Sequence, residues 1–316
     1  MYAIYEVTPR GLTPTAGKDH PPEQPLWFDL APPDEATMRR LERLFGIELP
    51  GYLERQELEP SKRLRHENEV LLLTVSVPAT GHFERLSPLT FVVDQRHVAT
   101  LRETFDTGFG SVTDIVARSP LALVLKLLER VVARSADRIE AIGVGLERGV
   151  ADAFDQRLHR ARSSTAVKRL VARLGEYGGQ LMKAQECLMS LSRLGIYLSR
   201  RPGDFLVLTE AERERLEALL RDIRALLEHL ASLNNRTEFL MNAMLGLVAL
   251  QQNDVMKLIS LVTVTFVPPT LIASVYGMNF SNMPELSWRY GFAFTIAVML
   301  VSAVVSYAIF RWRRWL

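Results

Sequence analysis

The sequence predicts an α+β membrane protein with three regions along its 316 residues. Short β-type runs alternate with an amphipathic helix in residues 1–118, which is typical of an α/β domain. Apolar residues then recur at helical spacing through residues 119–256, and residues 257–316 hold two long uncharged segments. We therefore expect an α/β domain, a region of long helices, and a C-terminal hairpin of two transmembrane helices.

The first region has the signals of a mixed sheet with one helix packed on it. Pro32 and Pro33, followed by Asp34 and Glu35, predict the opening of an amphipathic helix that runs through Phe45, because the acids suit its positive N-terminal end. Gly46 follows the last apolar position and predicts the end of this helix. Runs rich in apolar and β-branched side chains predict strands at Tyr2–Val7, Leu26–Leu30, Val70–Val77, Leu89–Val93 and His97–Leu101.

Two long helices are predicted next, from their apolar spacing. The first runs over residues 120–158 and the second over residues 166–198. A polar stretch at residues 160–165 predicts the turn between them. Cys187 lies on the apolar face of the second helix, so we expect a small core residue there.

The third long helix leads into the first of two membrane segments. Thr209 and Glu212 have the spacing of a capping box, and no stop signal precedes Pro268. Residues 258–276 carry no charge and would span roughly 28 Å as a helix, while the uncharged residues 290–310 would span roughly 31 Å. The sequence therefore predicts two antiparallel transmembrane helices.

The charges that flank these segments predict their orientation. The tail, residues 311–316, holds three arginines, whereas the connecting loop, residues 277–289, carries only Arg289 and Glu285. Basic residues accumulate on the cytoplasmic side of membrane helices. We therefore expect both termini, and the α/β domain, to lie in the cytoplasm, with the hairpin surrounded by the lipids of the cytoplasmic (inner) membrane.

One face of the first membrane helix combines polar and apolar side chains. Residues spaced three or four apart share a helix face, and such a row is formed by Asn253, Met256, Ile259, Thr263, Val267, Thr270 and Ser274. Small polar residues favour helix packing in membranes. The same row, repeated around a symmetric oligomer, would line a pore with alternating polar and apolar rings. The spacing alone favours neither interpretation.

The loop after this helix carries a recognisable run of residues. Tyr276–Phe280 contains the triplet Gly277, Met278 and Asn279 at the end of the first membrane segment, and Met283–Leu286 follows it. These runs resemble the signature loop of the CorA family of divalent-cation transporters. The length of the chain and the order of its regions also resemble that family.

The resemblance implies a homopentamer that conducts hydrated Mg²⁺, and also Co²⁺ and Ni²⁺, driven by the membrane potential. Gly277, Met278 and Asn279 would form the selective entrance, where a ring of amides hydrogen-bonds the water shell that Mg²⁺ releases reluctantly. The residues that match the family's pore positions are Asn253, Met256, Ile259, Val267, Thr270 and Asn279. The long helices would form a cytoplasmic funnel.

The loop departs from the family at one position and leaves the regulation open. Ser281 stands where members often carry an acid, so Glu285 is the acid left to attract cations. In the family, Mg²⁺ also acts as a regulatory ligand between subunits. The acids in suitable regions of this chain are Asp94, Asp152, Asp155 and Asp222, and no regulatory site is assigned among them.

Other functional classes have weaker support. The formal net charge of +2 provides no basic field for nucleic acid. Neither a catalytic set nor an organic-cofactor motif is apparent, so we expect a protein that is not an enzyme. The alternatives are a ZntB-like zinc transporter of the same superfamily and a membrane-anchored scaffold or sensor. The Met at position 278 favours magnesium over zinc within the resemblance, and an anchor would not require a polar stripe.

Overall fold

The computed structural model describes residues 2–8, 11–14, 27–57, 59–79, 83–103, 109, 112, 114–154, 164–200, 207–278 and 288–312. The chain divides into two compact units, Met1–Met241 and Asn242–Leu316. The three-region division predicted from the sequence, with boundaries after residues 118 and 256, stays a prediction.

A mixed sheet organises the first unit. Its described strands are β1 (Tyr2–Thr8), β2 (Gly11–Pro14), β3 (Trp27–Leu30), β4 (Leu64–Glu67), β5 (Val70–Pro78), β6 (Leu86–Val93) and β7 (Val98–Leu101). Their order across the sheet is β2-β1-β3-β7-β6-β5-β4. β3 and β7 pair in parallel, while the other described pairs are antiparallel. All five predicted strands are confirmed, whereas β2 and β4 were not predicted.

Seven described helices complete the chain. They are α1 (Glu35–Phe45), α2 (Tyr52–Gln56), α3 (Pro60–Arg63), α4 (Pro120–Phe154), α5 (Ser164–Ser199), α6 (Glu210–Tyr276) and α7 (Gly291–Trp312). The predicted end of α1 at Phe45 is confirmed, and the helix begins at Glu35, after both prolines. Asp34 caps it by accepting a hydrogen bond from Thr37 N at 2.8 Å, and Gly46 ends it with φ 68°.

The helices cover the sheet on its apolar surfaces. Leu41 and Phe45 of α1 are buried against Phe28, Leu72 and Val92 of the sheet. α5 contacts β5, and the backbone N–H of Ser76 donates to the hydroxyl of Ser190 at 3.0 Å. Cys187 of α5 is fully buried, as predicted.

A buried ion pair joins the parallel strands β3 and β7. Asp29 is fully buried and Arg102 is 5% exposed. Arg102 donates through Nε to the Asp29 carboxylate at 2.8 Å and makes a second, shorter contact through Nη2. The Thr100 hydroxyl donates to the same carboxylate at 2.7 Å and accepts from Trp27 Nε1 at 3.0 Å. These four side chains thus provide hydrogen-bond partners for one another at a site that excludes water.

The N-termini of α4 and α6 share one carboxylate. The backbone N–H and the hydroxyl of Thr209 each donate to Glu212 Oε2 at 2.8 Å, and Glu212 N donates to the Thr209 hydroxyl at 3.3 Å. The predicted capping box is confirmed. In addition, the hydroxyl of Ser119 donates to Glu212 Oε1 at 2.5 Å and accepts from Ala122 N at 3.0 Å, which caps α4.

The helix boundaries around the predicted turn differ from expectation. α5 begins at Ser164, so the predicted turn at residues 160–165 is wrong for residues 164 and 165, which are helical. Residues 155–163 lie outside the described part of the chain. Serine and threonine are favoured at helix starts as well as in turns, so composition alone did not separate these two roles.

The second unit consists of the end of α6 and of α7. α6 continues through Pro268 and Pro269 to Tyr276. Both α6 and α7 contain a window long and apolar enough to cross a membrane, and no residue of either window is buried within the structure. Apolar helices that leave their side chains uncovered fit a bilayer better than the core of a soluble protein.

Candidate pore wall and ion entrance

The predicted stripe lies along one face of α6. All seven positions fall within this helix, and each is exposed: Asn253, Met256, Ile259, Thr263, Val267, Thr270 and Ser274. The side chains of Met256, Ile259 and Val267 are 59%, 53% and 54% exposed. With about 100° of rotation per residue, their spacing keeps them on one side of the helix.

A second row of residues marks the opposite face of α6. The half-buried positions in the membrane segment are Ser260, Leu261, Thr265, Pro268, Pro269, Ile272 and Tyr276. At about 100° per residue, all of them except Ser260 lie on the far side from the stripe. The rest of the unit therefore covers the side of α6 that the stripe does not occupy. Spacing alone could have revealed this row, which the sequence analysis did not identify.

The two threonines of the stripe form hydrogen bonds within the helix. Thr263 Oγ1 donates to the carbonyl oxygen of Ile259 at 2.9 Å, and Thr270 Oγ1 donates to that of Phe266 at 2.7 Å. Each hydroxyl oxygen nevertheless keeps its lone pairs as acceptors. From Ile259 to Thr270 the stripe thus alternates apolar side chains with hydroxyl oxygens.

Two consecutive prolines interrupt the hydrogen bonds of α6 beside the stripe. Pro268 and Pro269 have no N–H, so the carbonyl oxygens of Val264 and Thr265 lack their usual helical donors. The hydroxyls of Thr263 and Thr270 bond other carbonyls. This pair of prolines loosens the backbone at the level of Val267 without ending the helix.

The ion entrance predicted from the sequence would begin where α6 ends. Gly277 N donates to the carbonyl oxygens of Ala273 at 2.9 Å and Ser274 at 3.2 Å, and Met278 N donates to Val275 O at 3.3 Å. Of the described glycines, Gly46 alone has a positive φ, so a positive φ does not explain Gly277. A Cβ at Gly277 would lie 3.2 Å from the carbonyl oxygen of Ala273, which is a close approach. Asn279 and Glu285 lie outside the described residues.

The acids considered for regulation differ in their surroundings. Asp94 accepts hydrogen bonds from the backbone N–H groups of Arg96 at 2.6 Å and His97 at 2.5 Å, and contacts His97 Nδ1 at 3.1 Å. Burial acts to raise the pKa of Asp94, but these hydrogen bonds outweigh it and hold the pKa below its usual value. Asp94 therefore stabilises the turn between β6 and β7.

Asp222 has a more open position. It is exposed and borders a cavity of about 580 Å³ between α4 and α6, which Glu129 and Arg215 also line. The side chain of Asp152 and all of Asp155 lie outside the described part of the chain. Among the residues that the structure describes, no three His, Cys, Asp or Glu side chains are close enough to hold a metal ion.

Comparison with known proteins identifies relatives over the whole chain. The family model for CorA-like Mg2+ transporter proteins matches residues 22–314. The Magnesium transport protein CorA of Yersinia pseudotuberculosis serotype I (strain IP32953) is 31% identical over 300 residues, which cover 92% of each chain.

Solved structures share the fold. The complete CorA magnesium transporter of Methanocaldococcus jannaschii has a TM-score of 0.72 at 20% identity and covers 98% of this chain and 97% of its own. The ZntB cytoplasmic domain of Vibrio parahaemolyticus RIMD 2210633 has a TM-score of 0.53 at 9% identity, covering 77% and 95%. These structural likenesses concern the fold alone, whereas the family match and the 31% identity carry the assignment. The family resemblance is therefore confirmed, and the chain belongs to the CorA-like Mg2+ transporter family.

Proposed function

We propose that the chain is a channel for hydrated Mg²⁺, driven by the membrane potential and built as a homopentamer around five copies of α6. The observation that carries the proposal is the exposed stripe of α6, which lies opposite the face covered within its own unit. A polar stripe facing lipid would be unfavourable, whereas a stripe facing a central axis would meet water and ions. The name of the Yersinia relative, a magnesium transport protein, supports the choice of ion.

In this proposal the membrane potential supplies the driving force. Moving two positive charges across 100 mV, negative inside, is worth about 4.6 kcal/mol, twice the value for one charge. No ATP is needed on that account. Co²⁺ and Ni²⁺ are further candidate substrates, since they share the charge of Mg²⁺.

The proposed entrance is the triplet Gly277, Met278 and Asn279, with Glu285 attracting cations to the loop. Gly277 lets the end of α6 close tightly on Ala273, and the next two residues would then face the outer mouth. Five Asn279 amides would hydrogen-bond the waters of the hydrated ion without stripping them. Met256, Ile259 and Val267 would form apolar constrictions that close by losing water.

The remaining parts of the proposal concern organisation. Both termini and the α/β domain would lie on the cytoplasmic side of the inner membrane, as the basic tail favours. Residues 1–118 would form the cytoplasmic α/β domain, residues 119–256 the funnel of long helices, and residues 257–316 the membrane hairpin. Mg²⁺ would also bind as a regulatory ligand; of the two candidate acids whose side chains the structure describes, Asp94 is half-buried and Asp222, at the cavity between α4 and α6, is exposed.

The test uses full-length protein in liposomes that contain a Mg²⁺-sensitive dye, under an inside-negative potential. We expect Mg²⁺ influx from the native protein and at least a tenfold loss with Asn279→Ala, because the ring of amides disappears. Asn282→Ala removes the same group from the same loop and serves as the matched control, with influx close to native.

Other outcomes would point to the alternatives. Zinc influx that is accompanied by proton movement, without Mg²⁺ influx, would favour the hypothesis of a ZntB-like zinc transporter. No influx of either ion, with Mg²⁺ removed from the cytoplasmic side and with intact pentamers, would contradict the channel and favour a scaffold or sensor. Equal losses with Asn279→Ala and Asn282→Ala would remove the special role of Asn279.

A further inference from the structure

The hydroxyl of Thr263 has already used its only hydrogen. Thr263 Oγ1 donates to Ile259 O at 2.9 Å, and Thr270 Oγ1 repeats the arrangement with Phe266 O at 2.7 Å. A hydroxyl has one donor and two acceptor lone pairs. In this state the two oxygens present only acceptor lone pairs to anything that approaches the stripe.

An acceptor without a free hydrogen discriminates between hydrated ions by the sign of their charge. Water bound to a cation turns its oxygen inward and its hydrogens outward, so the hydrated ion presents donors. Water around an anion presents lone pairs instead. A ring of acceptor-only hydroxyls therefore binds the outer surface of a hydrated cation and offers nothing to a hydrated anion.

Thr263 lies between two apolar positions of the stripe. Ile259 and Val267 are each four residues away, or about 6 Å along the helix at 1.5 Å per residue, and both are more than half exposed. Of the seven stripe residues, Thr263 is thus the one polar side chain between these two. Without Thr263, a hydrated ion that had passed one apolar ring would meet no polar partner before it reached the next ring.

We propose that Thr263 is a specificity-determining residue of the pore, a relay that holds the hydrated divalent cation between the Ile259 and Val267 rings through acceptor-only hydroxyls. This inference rests on the proposed function, since it requires the stripe to face a central pore. It adds a second selection step, by the sign of the ion's charge, behind the Asn279 entrance.

The internal hydrogen bond alone would not support this role. Thr237 and Thr295 donate in the same way to Leu233 O at 2.8 Å and Gly291 O at 2.9 Å. Thr237 is buried and Thr295 is half-buried on α7. Thr263 differs because its oxygen lies on the exposed stripe, where an ion can reach it.

The experiment compares four full-length proteins in liposomes with an internal Mg²⁺ dye: native, Thr263→Val, Thr263→Ser and Thr295→Val. Valine keeps the shape of threonine without the oxygen, and serine keeps the oxygen. We expect Mg²⁺ influx to fall about tenfold in Thr263→Val and to stay within about twofold of native in Thr263→Ser. Thr295→Val, which removes the same internal bond away from the stripe, should conduct like the native protein.

A second readout separates selection from general damage. The reversal potential under a MgCl₂ gradient measures the permeability of Mg²⁺ relative to chloride, and we expect this ratio to fall in Thr263→Val and not in Thr295→Val. Elution volume and thermal midpoint identify misfolded preparations. If Thr263→Val does not assemble, Thr263→Ala provides the same comparison.

The outcomes of the two proposals are distinguishable. If the native protein conducts Mg²⁺ and Thr263→Val conducts it at the same rate and with the same selectivity, the relay is overturned and the channel proposal remains intact. A loss of equal size in Thr295→Val would show that the internal bond supports the helix, which also overturns the relay. Absence of influx in the native protein would overturn the channel proposal, and the relay with it.

Discussion

At the scale of single residues, Glu212 shows how one side chain serves two elements. Its carboxylate accepts from Thr209 at the start of α6 and from Ser119 at the start of α4. The spacing of Thr209 and Glu212 predicted the first contact. The contact with Ser119 joins residues 93 positions apart, and no local pattern encodes such a distance. Local capping was predictable here because it depends on neighbours in the chain, whereas the link between helices depends on the fold.

Removal of this carboxylate should destabilise the first unit. We expect Glu212→Gln to lower stability by about 1–3 kcal/mol, since an amide replaces a charged acceptor at two helix N-termini. Thermal unfolding followed by circular dichroism measures the change. Glu214→Gln changes an exposed acid on the same helix and should have little effect; equal effects of the two substitutions would contradict the shared cap.

The same group predicts a pH dependence. Burial acts to raise the pKa of Glu212, but hydrogen bonds from Ser119 and Thr209 outweigh it and lower the pKa below its usual value. The carboxylate therefore contributes stability above its unfolded pKa of about 4.3, and this contribution is lost as the pH falls through the lower folded pKa. The thermal midpoint of the native protein should converge on that of Glu212→Gln below about pH 4. A constant difference from pH 7 to pH 3 would refute this.

The single thiol should be inert in the folded protein. Cys187 is fully buried, and this burial is the main reason that its pKa is raised to about 12. At pH 8 only about one thiol in ten thousand would be ionised, and the thiolate is the reactive form. We expect a soluble thiol reagent to modify the denatured protein rapidly and the native protein at least a hundredfold more slowly. Similar rates would show that α5 opens readily.

At the scale of elements, the buried pair of Asp29 and Arg102 fixes the parallel contact of β3 with β7. The strands themselves were predictable from their apolar runs, but their pairing was not, because they are separated by residues 31–97 and have different neighbours in the sheet. Asp29 is an acid in a short buried strand, where an apolar side chain is expected. Its position is understandable only with its partner, Arg102. The ion pair therefore explains an apparent inconsistency in the sequence.

The pair should be costly to break and cheaper to replace. Arg102→Met leaves the Asp29 carboxylate buried without its cation, and we expect a loss of about 3–5 kcal/mol. The double substitution Asp29→Leu with Arg102→Met removes both charges and should be clearly more stable than the single variant. Denaturant unfolding of the native protein, of Asp29→Leu, of Arg102→Met and of the double variant makes the comparison. A double variant as unstable as the sum of the single changes would count against this coupling.

α6 shows which features of a helix the sequence reveals. Its capping box marked the start, and its uncharged stretch marked the membrane segment. The prolines were poor markers of its end, because a helix in a bilayer cannot exchange its remaining backbone hydrogen bonds for water. Gly277 closes α6 in a tight turn without a positive φ.

At the scale of the whole molecule, the order of regions followed from composition, whereas the surfaces that remain uncovered did not. Val267 and Pro268 are adjacent in the sequence and equally apolar, yet one is 54% exposed and the other half-buried. That difference depends on the packing of the second unit. The spacing of residues along α6 therefore predicts that a stripe exists. Only the packing of the second unit shows which face of α6 is exposed and which is covered.

The contact between Ser76 and Ser190 has a consequence for synthesis of the chain. β4 pairs with β5 only from Val70 to Leu73, so α5 covers the free edge beyond, where the Ser76 N–H meets Ser190. These residues are 114 positions apart, and at 5–20 residues per second the ribosome needs about 6–23 s to make the second after the first. During that interval the nascent chain exposes an unpaired strand edge, the kind of surface on which strands of different chains associate. Early domain folding is therefore exposed to misassembly, or to chaperone capture, until α5 leaves the ribosome.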